Sequence, residues 1–252
     1  MCKCSCYLSC THCTRVTLDS SKVVSCIVMQ LHINKSNTYI TQDNQCSMKA
    51  IIFSAHSDDF VIGAGGYIAR HPKQTHCVVF SLGEMSHPWL KPEEIKKVRR
   101  NETYQAAKIL RTSVKPYDLN ENNFLNENED LINETVAWIE QHKPPRMFTH
   151  SNEDPHPDHR AVHQTSMIIA SKLSYDIEVY AYSVWNPTEI NQQYPALYVD
   201  IKQTYQRKVR SMRAFPSQKV ALYTLALLIL YRAIASGLRS RYWLAEKFYR
   251  IL

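Results

Sequence analysis

From Met48 onward the chain alternates short apolar runs with longer segments whose apolar residues recur at helical spacing, and few folds accommodate that alternation. Residues 49–54 (Lys-Ala-Ile-Ile-Phe-Ser) and 76–81 (His-Cys-Val-Val-Phe-Ser) read as buried strands that end at polar turns. A helical pattern runs through Ile68 and Ala69. Residues 93–110 form a long amphipathic helix, with Ile95, Val98, Ala106, Ile109 and Leu110 near helical spacing. A helix over 131–139 is stopped by Pro144 and Pro145. A third short strand, 147–149, precedes a loop, a helix over 160–173 and a strand over 178–182. Strands and helices in this order predict βαβ units: an α/β, Rossmann-like three-layer fold with a mostly parallel sheet. No repeat or low-complexity linker interrupts it, so residues 48–252 are expected to be one domain.

The segment before Met48 has a different texture. Residues 1–47 are rich in Ser, Thr, Asn and Cys, and seven of the eight cysteines precede Met48; only Cys77 follows it. A disulfide framework would need cysteines throughout the chain, so the body reads as a reduced, cytoplasmic protein. Cys10-Thr-His-Cys13 is a lone CxxC without a second pair at zinc-finger spacing. The first 20 residues lack a secretory apolar core. Residues 1–47 are therefore expected to be a poorly ordered extension, or sequence upstream of a start at Met48. The net charge of +7 comes without long Lys/Arg blocks, so no nucleic-acid partner is expected.

Chemistry concentrates at two strand ends, where open parallel sheets place their sites. The first is His56-Ser-Asp-Asp59 followed by Gly63-Ala-Gly-Gly66; the second is Asn152-Glu-Asp-Pro-His-Pro-Asp-His159. His56 and Asp59 offer an imidazole and a carboxylate from one turn, and His159 offers a third ligand from across the sheet. Two His and one Asp leave an open coordination position, as in a catalytic rather than a structural zinc. Asp58 must point elsewhere than Asp59, which suits a general base. His156 suits an oxyanion-stabilising or acid role, with Asp158 as its orienting partner. The competing reading is that Asp58 and Asp59 only cap the following helix. The glycine cluster lacks both the GxGxxG spacing and a Walker lysine, so it reads as small residues that let the helix start approach the metal loop. Iron for oxygen chemistry would suit the same ligand types, but the spare Asp58 and the His156-Pro-Asp-His159 loop favour hydrolysis.

Ala55-His-Ser-Asp-Asp59 with Gly63-Ala-Gly-Gly66, together with His156-Pro-Asp-His159, resembles the paired signatures of the PIG-L/LmbE-like zinc N-deacetylases. Arg99-Arg-Asn-Glu102, Phe215-Pro-Ser-Gln218 and Ala245-Glu-Lys-Phe248 are similar to further landmarks of that family. The likeness spans residues 48–252. It implies removal of acetyl groups from N-acetylglucosamine-type amides on inositol lipids, thiol cofactor precursors or chitin oligomers. It further implies Zn2+ on His56, Asp59 and His159, Asp58 as base, His156 as electrostatic or acid partner, and Arg99 as substrate contact. Three positions depart from the pattern. Ser57 replaces the usual proline. Phe60 replaces a glutamate and so removes an outer-shell carboxylate, a change that typically costs about 10–100-fold in affinity or activity. Asp154 stands where some members carry an oxyanion-donating tyrosine. The expected partner is an N-acetylated sugar or glycoconjugate. A catalytically impaired glycan-binding relative and a hydrolase of a non-sugar amide are the alternatives.

The run from Val220 to Tyr231 is apolar around its circumference. It predicts a buried helix or a homo-oligomer interface. The other reading, prompted by Arg232, Arg239 and Arg241 beyond it, is a membrane surface or a lipid-linked substrate.

Overall fold

The computed structural model describes residues 47–83, 91–120, 128–186 and 193–252. The expected extension lies outside them except for Ser47, and residues 46–252 form one compact unit. Its elements are β1 (Ala50–Ser54), α1 (Asp59–Arg70), β2 (Thr75–Val79), α2 (Pro92–Leu110), β3 (Ser113–Pro116), α3 (Glu129–His142) and β4 (Arg146–His150). These are followed by α4 (Pro157–Ser171), β5 (Glu178–Tyr182), β6 (Ala196–Asp200), α5 (Tyr205–Met212), a 3-10 turn at Pro216–Gln218, α6 (Lys219–Ser240) and β7 (Ala245–Arg250).

The seven strands form one sheet in the order β3-β2-β1-β4-β5-β7-β6. The first five are parallel, and β7 runs antiparallel to both β5 and β6. The fold is thus the α/β class expected, with an antiparallel edge added. β1 is buried along its whole length, which is why its sequence shows no polar alternation. Its residues nevertheless alternate between two cores. Ala50 and Ile52 pack with α1, α2, α5 and α6 on one face of the sheet, while Ile51 and Phe53 pack with α3 and α4 on the other. Burying each large side chain of this strand contributes about 1.5–3 kcal/mol.

β1 and β4 are neighbours, with Ile51 paired to Met147 and Ile52 to Phe148. Connections lead away from this pair in opposite directions across the sheet, so a crevice opens at their carboxyl ends. The chain leaves β1 into α1 and β4 into α4, and two helix N-termini converge on that crevice.

The glycines of α1 serve a different contact from the one expected. A Cβ on Gly63 would lie 2.1 Å from the Tyr182 ring, and one on Gly66 would lie 2.5 Å from Ile201 and 2.9 Å from the Glu246 carboxylate. They let α1 lie against β5 and β7 rather than against the metal loop. Glu246 accepts from the Gly66 and Tyr67 amides at 2.8 and 2.7 Å and from Lys208 Nζ at 2.7 Å. Cys77 is buried, and burial pushes its thiol up to about 12, so it is inert.

Candidate metal and catalytic site

α4 begins at Pro157, three residues before the expected start, because Pro157 supplies the fixed φ of a first helical position and His156 caps the helix. His156 Nδ1 accepts from the Asp158 amide at 3.2 Å. Asp158 and His159 therefore stand on the first turn of α4, as Asp59 stands on the first turn of α1. Both N-termini favour the carboxylates they carry.

The turn after β1 is tied down from both sides. Ser54 Oγ donates to the His56 carbonyl at 2.8 Å and accepts from the Phe60 amide at 2.9 Å. Asp59 Oδ2 accepts from the His56 amide at 2.7 Å. The same oxygen lies 3.5 Å from His56 Nδ1, 3.4 Å from His150 Nε2 and 3.4 Å from His159 Nε2. Three of the expected groups, His56, Asp59 and His159, thus meet with a fourth, His150, which the sequence reading did not assign. Two overlapping sets have ligand atoms close enough to share one metal ion: His56, His156 and His159, and Asp59, His150 and His159.

The far ring nitrogens test whether a metal suits these residues. A histidine that ligates through one nitrogen usually has the other held by a carboxylate. His56 turns Nδ1 toward Asp59 while Nε2 lies 3.0 Å from Asp158 Oδ2. His159 turns Nε2 toward Asp59 while Nδ1 lies 3.0 Å from Asp154 Oδ1. Both ring nitrogens of His159 are buried and neither makes a hydrogen bond, so its Nδ1 meets Asp154 as a close ionic contact. The fit is good: two imidazoles backed by carboxylates converge on a shared acidic oxygen. Asp158 orients His56 by its side chain, and its amide donates to Nδ1 of His156, the partner expected.

Asp154, noted in the sequence only as a departure, is 1% exposed and ties the loop together. It lies 3.0 Å from His159 Nδ1 and accepts from the amides of His156 at 3.0 Å and Trp185 at 3.2 Å. The carboxylate removed by Phe60, itself on α1 and fully buried in the core, is matched by Asp154 and Asp158 arriving from the other motif.

Asp58 occupies the N-cap position of α1 but makes no side-chain capping hydrogen bond, so the capping reading fails for it. Burial, reinforced by the adjacent Asp59, pushes its carboxyl up to about 6, against the pull of His56 and Arg99. Asp59 behaves oppositely: burial opposes its charge, yet His159 and His150 hold it well below the carboxylate range. Two adjacent carboxylates thus acquire different proton affinities. Burial also lowers His156, helped by the neighbouring His56 and His159 rings.

Arg99 is 2% exposed, and its Nη1 donates to the carbonyls of Leu82, at 3.2 Å, and Gly83. These contacts hold the segment after β2 and bring a positive charge to bear on Asp58. Glu102 of α2 accepts from the Ser217 amide at 2.9 Å and hydroxyl at 2.5 Å, so two of the sequence landmarks are halves of one contact. Gln218 Nε2 then donates to Ser57 Oγ at 3.4 Å, linking the start of α6 to the first motif. His150 closes the floor of the site. Its Nε2 accepts from the Ala55 amide at 3.0 Å and lies 3.1 Å from the Tyr182 hydroxyl. The signal for it was the crowding of histidines between 150 and 163, which the two-motif reading passed over.

Residues 51–170 match the family model described as PIG-L, GlcNAc-PI de-N-acetylase. A 4-oxalmesaconate hydratase of Pseudomonas putida is 29% identical over 198 residues, which is 70% of this chain and 76% of the relative. The solved 4-carboxy-2-hydroxymuconate hydratase of Pseudomonas putida aligns with a TM-score of 0.70 at 22% identity, covering 81% of this chain and 97% of that one. The N,N'-diacetylchitobiose deacetylase of Pyrococcus horikoshii aligns with a TM-score of 0.69 at 17% identity, covering 81% and 84%. These two alignments establish the fold.

Proposed function

Because the chain is PIG-L/LmbE-like through the segment that builds the site, we propose that it is a zinc-dependent N-deacetylase acting on an N-acetylglucosamine-type sugar or glycoconjugate. The observation that carries this reading is the division of labour between Asp58 and Asp59. Asp59 is committed to three imidazoles, while Asp58 is buried beside them, uncapping and raised to about 6.

His56, Asp59 and His159 would hold the metal: His159 belongs to both close-set groups, one of which contains His56 and the other Asp59. A divalent ion there supplies Lewis acidity toward a water molecule and an acyl oxygen. The protein does the proton work. An Asp58 carboxylate oxygen takes a proton from the attacking water as the new C–O bond forms at the acetyl carbon. His156 accepts a hydrogen bond at Nδ1, so its neutral ring carries the proton on Nε2 and can stabilise the developing oxyanion by a hydrogen bond from that N–H. The C–N bond then breaks as Asp58 returns its proton to the departing nitrogen, leaving acetate and a free amine. Asp154 and Asp158 keep His159 and His56 aimed throughout.

A second reading is favoured by the 29% identity to a hydratase: water added across the double bond of an unsaturated oxo acid. The charge of the site weighs against it. Asp58, Asp59, Asp154 and Asp158 gather here, while Arg99 and Arg160 donate to main-chain carbonyls. A neutral acetamide meets less repulsion in such surroundings than a polycarboxylate does. Mass spectrometry of reactions with a panel of N-acetylated sugars and unsaturated oxo acids separates the readings. Loss of one acetyl mass with release of acetate is expected. Gain of one water mass on an oxo acid would establish the hydratase instead, and sugar binding without product would make the protein a glycan binder.

A further inference from the structure

Only half of α6 is used by the fold. Leu222, Leu225, Ile229 and Ala233 are buried, the first three in the core, and the helix packs along β7. The opposite side carries Val220, Tyr223, Leu227, Tyr231 and Leu238 at helical spacing, 67–81% exposed, and Trp243 follows at 77%. Soluble monomers rarely leave so continuous an apolar stripe in water. The expectation of a buried helix therefore fails on this side, because a helix apolar all round gives no sequence signal for which half faces in.

The surrounding charge identifies what the stripe fits. Between residues 201 and 245 the chain carries nine Lys and Arg and no Asp or Glu; Lys208 is buried against Glu246, which leaves eight cations around the stripe. Lys219 lies 5.8 Å from the centre of the Tyr223 ring and Lys202 5.2 Å from that of Trp243, so cations and amphipathic rings sit together at both ends of the stripe. Apolar side chains flanked by cations and by Tyr and Trp are the pattern of a helix lying in a membrane interface. A second copy fits poorly. An antiparallel two-fold pairing of α6 would set Lys219 against Arg241, with no acid between residues 201 and 245 to separate them. Length and composition would let the helix cross a bilayer, but a third of its most apolar window is buried in the fold, so it lies in the plane. A cleft of about 470 Å³ beside the stripe, lined by Met212, Phe215, Leu222 and Tyr223 with Arg213 and Lys219, suits an acyl chain beneath an anionic headgroup.

We infer that the exposed face of α6 docks the protein onto an anionic lipid bilayer. The face starts next to Gln218, which touches Ser57 of the first motif, so docking sets the catalytic crevice beside the lipid surface.

Flotation of the full chain with vesicles tests this without reference to activity, so it can fail or succeed independently of the deacetylase reading. The protein is expected to float with vesicles containing about a third phosphatidylserine, weakly with phosphatidylcholine alone, and less as salt rises. Leu227→Asp with Leu238→Asp should lower partitioning by at least about tenfold without changing the circular dichroism spectrum, since both side chains already face solvent. Lys219→Gln with Arg241→Gln should weaken binding to anionic vesicles only. A chain that stays soluble with every vesicle, or binds equally after the Asp substitutions, overturns the inference. So does a lipid-free dimer, seen by sedimentation velocity, that Leu227→Asp dissolves.

Discussion

Asp58→Asn is expected to keep its fold and its metal while losing roughly 10²–10⁴-fold in turnover, the usual size of a general-base contribution. The substitution preserves the shape of a side chain that is 7% exposed, and it removes basicity from a group that makes no capping bond. It also relieves the repulsion between Asp58 and Asp59 that helps raise the former, so the folded protein should be no less stable. Acetate release measured beside zinc content by atomic emission checks this. If Asp58→Asn sheds the metal while Asp59→Asn retains it, ligand and base are the other way round. Nearly full turnover with zinc bound would remove Asp58 from the reaction.

The second large effect is on the metal itself. His159 belongs to both ligand sets, so His159→Ala should strip zinc on dialysis and abolish turnover. Asp154→Asn should give a graded version, because it leaves every ligand in place but weakens the support of His159 Nδ1. A fall of about 10–100-fold in zinc affinity is the usual effect of losing such a partner. Asp154 also holds the amides of His156 and Trp185, so a thermal melt of the metal-free variant must accompany the titration. Unchanged zinc affinity in a folded Asp154→Asn protein would mean that this carboxylate serves the loop and not the metal.

The parts of the molecule that were legible in the sequence are those where burial is complete or where a motif sits on a single turn. β1 is apolar, and β4 is buried from Met147 to His150, because both faces of the sheet are covered, and their motifs stand within ten residues of the strand ends. The antiparallel edge was not legible. β6 carries a four-residue apolar run at 196–199 but is only partly buried, and β7 contains Glu246 and Lys247 and shows no such run. α5 is short and carries Arg207, Lys208 and Arg210, which reads as a solvated stretch until Lys208 is seen paired with Glu246 across the core. The same limit applied to the site. His56, Asp59 and His159 were recognisable from residue type and spacing. The assignment of Asp158 to His56, 102 positions away, and of His150 to the floor depends on the pairing of β1 with β4. Phe60 looked like a missing support because sequence shows which carboxylate is absent, but not which ones arrive from another loop.

The most direct test of the central claim is a zinc titration of the metal-free full chain, following acetate release from an N-acetylglucosamine-type substrate that the panel identifies. The metal-free protein should be inactive, and activity should rise with added zinc until one ion is bound per chain. Acetate release that is equally fast without metal, or absent at every zinc concentration while zinc binds, would contradict the account.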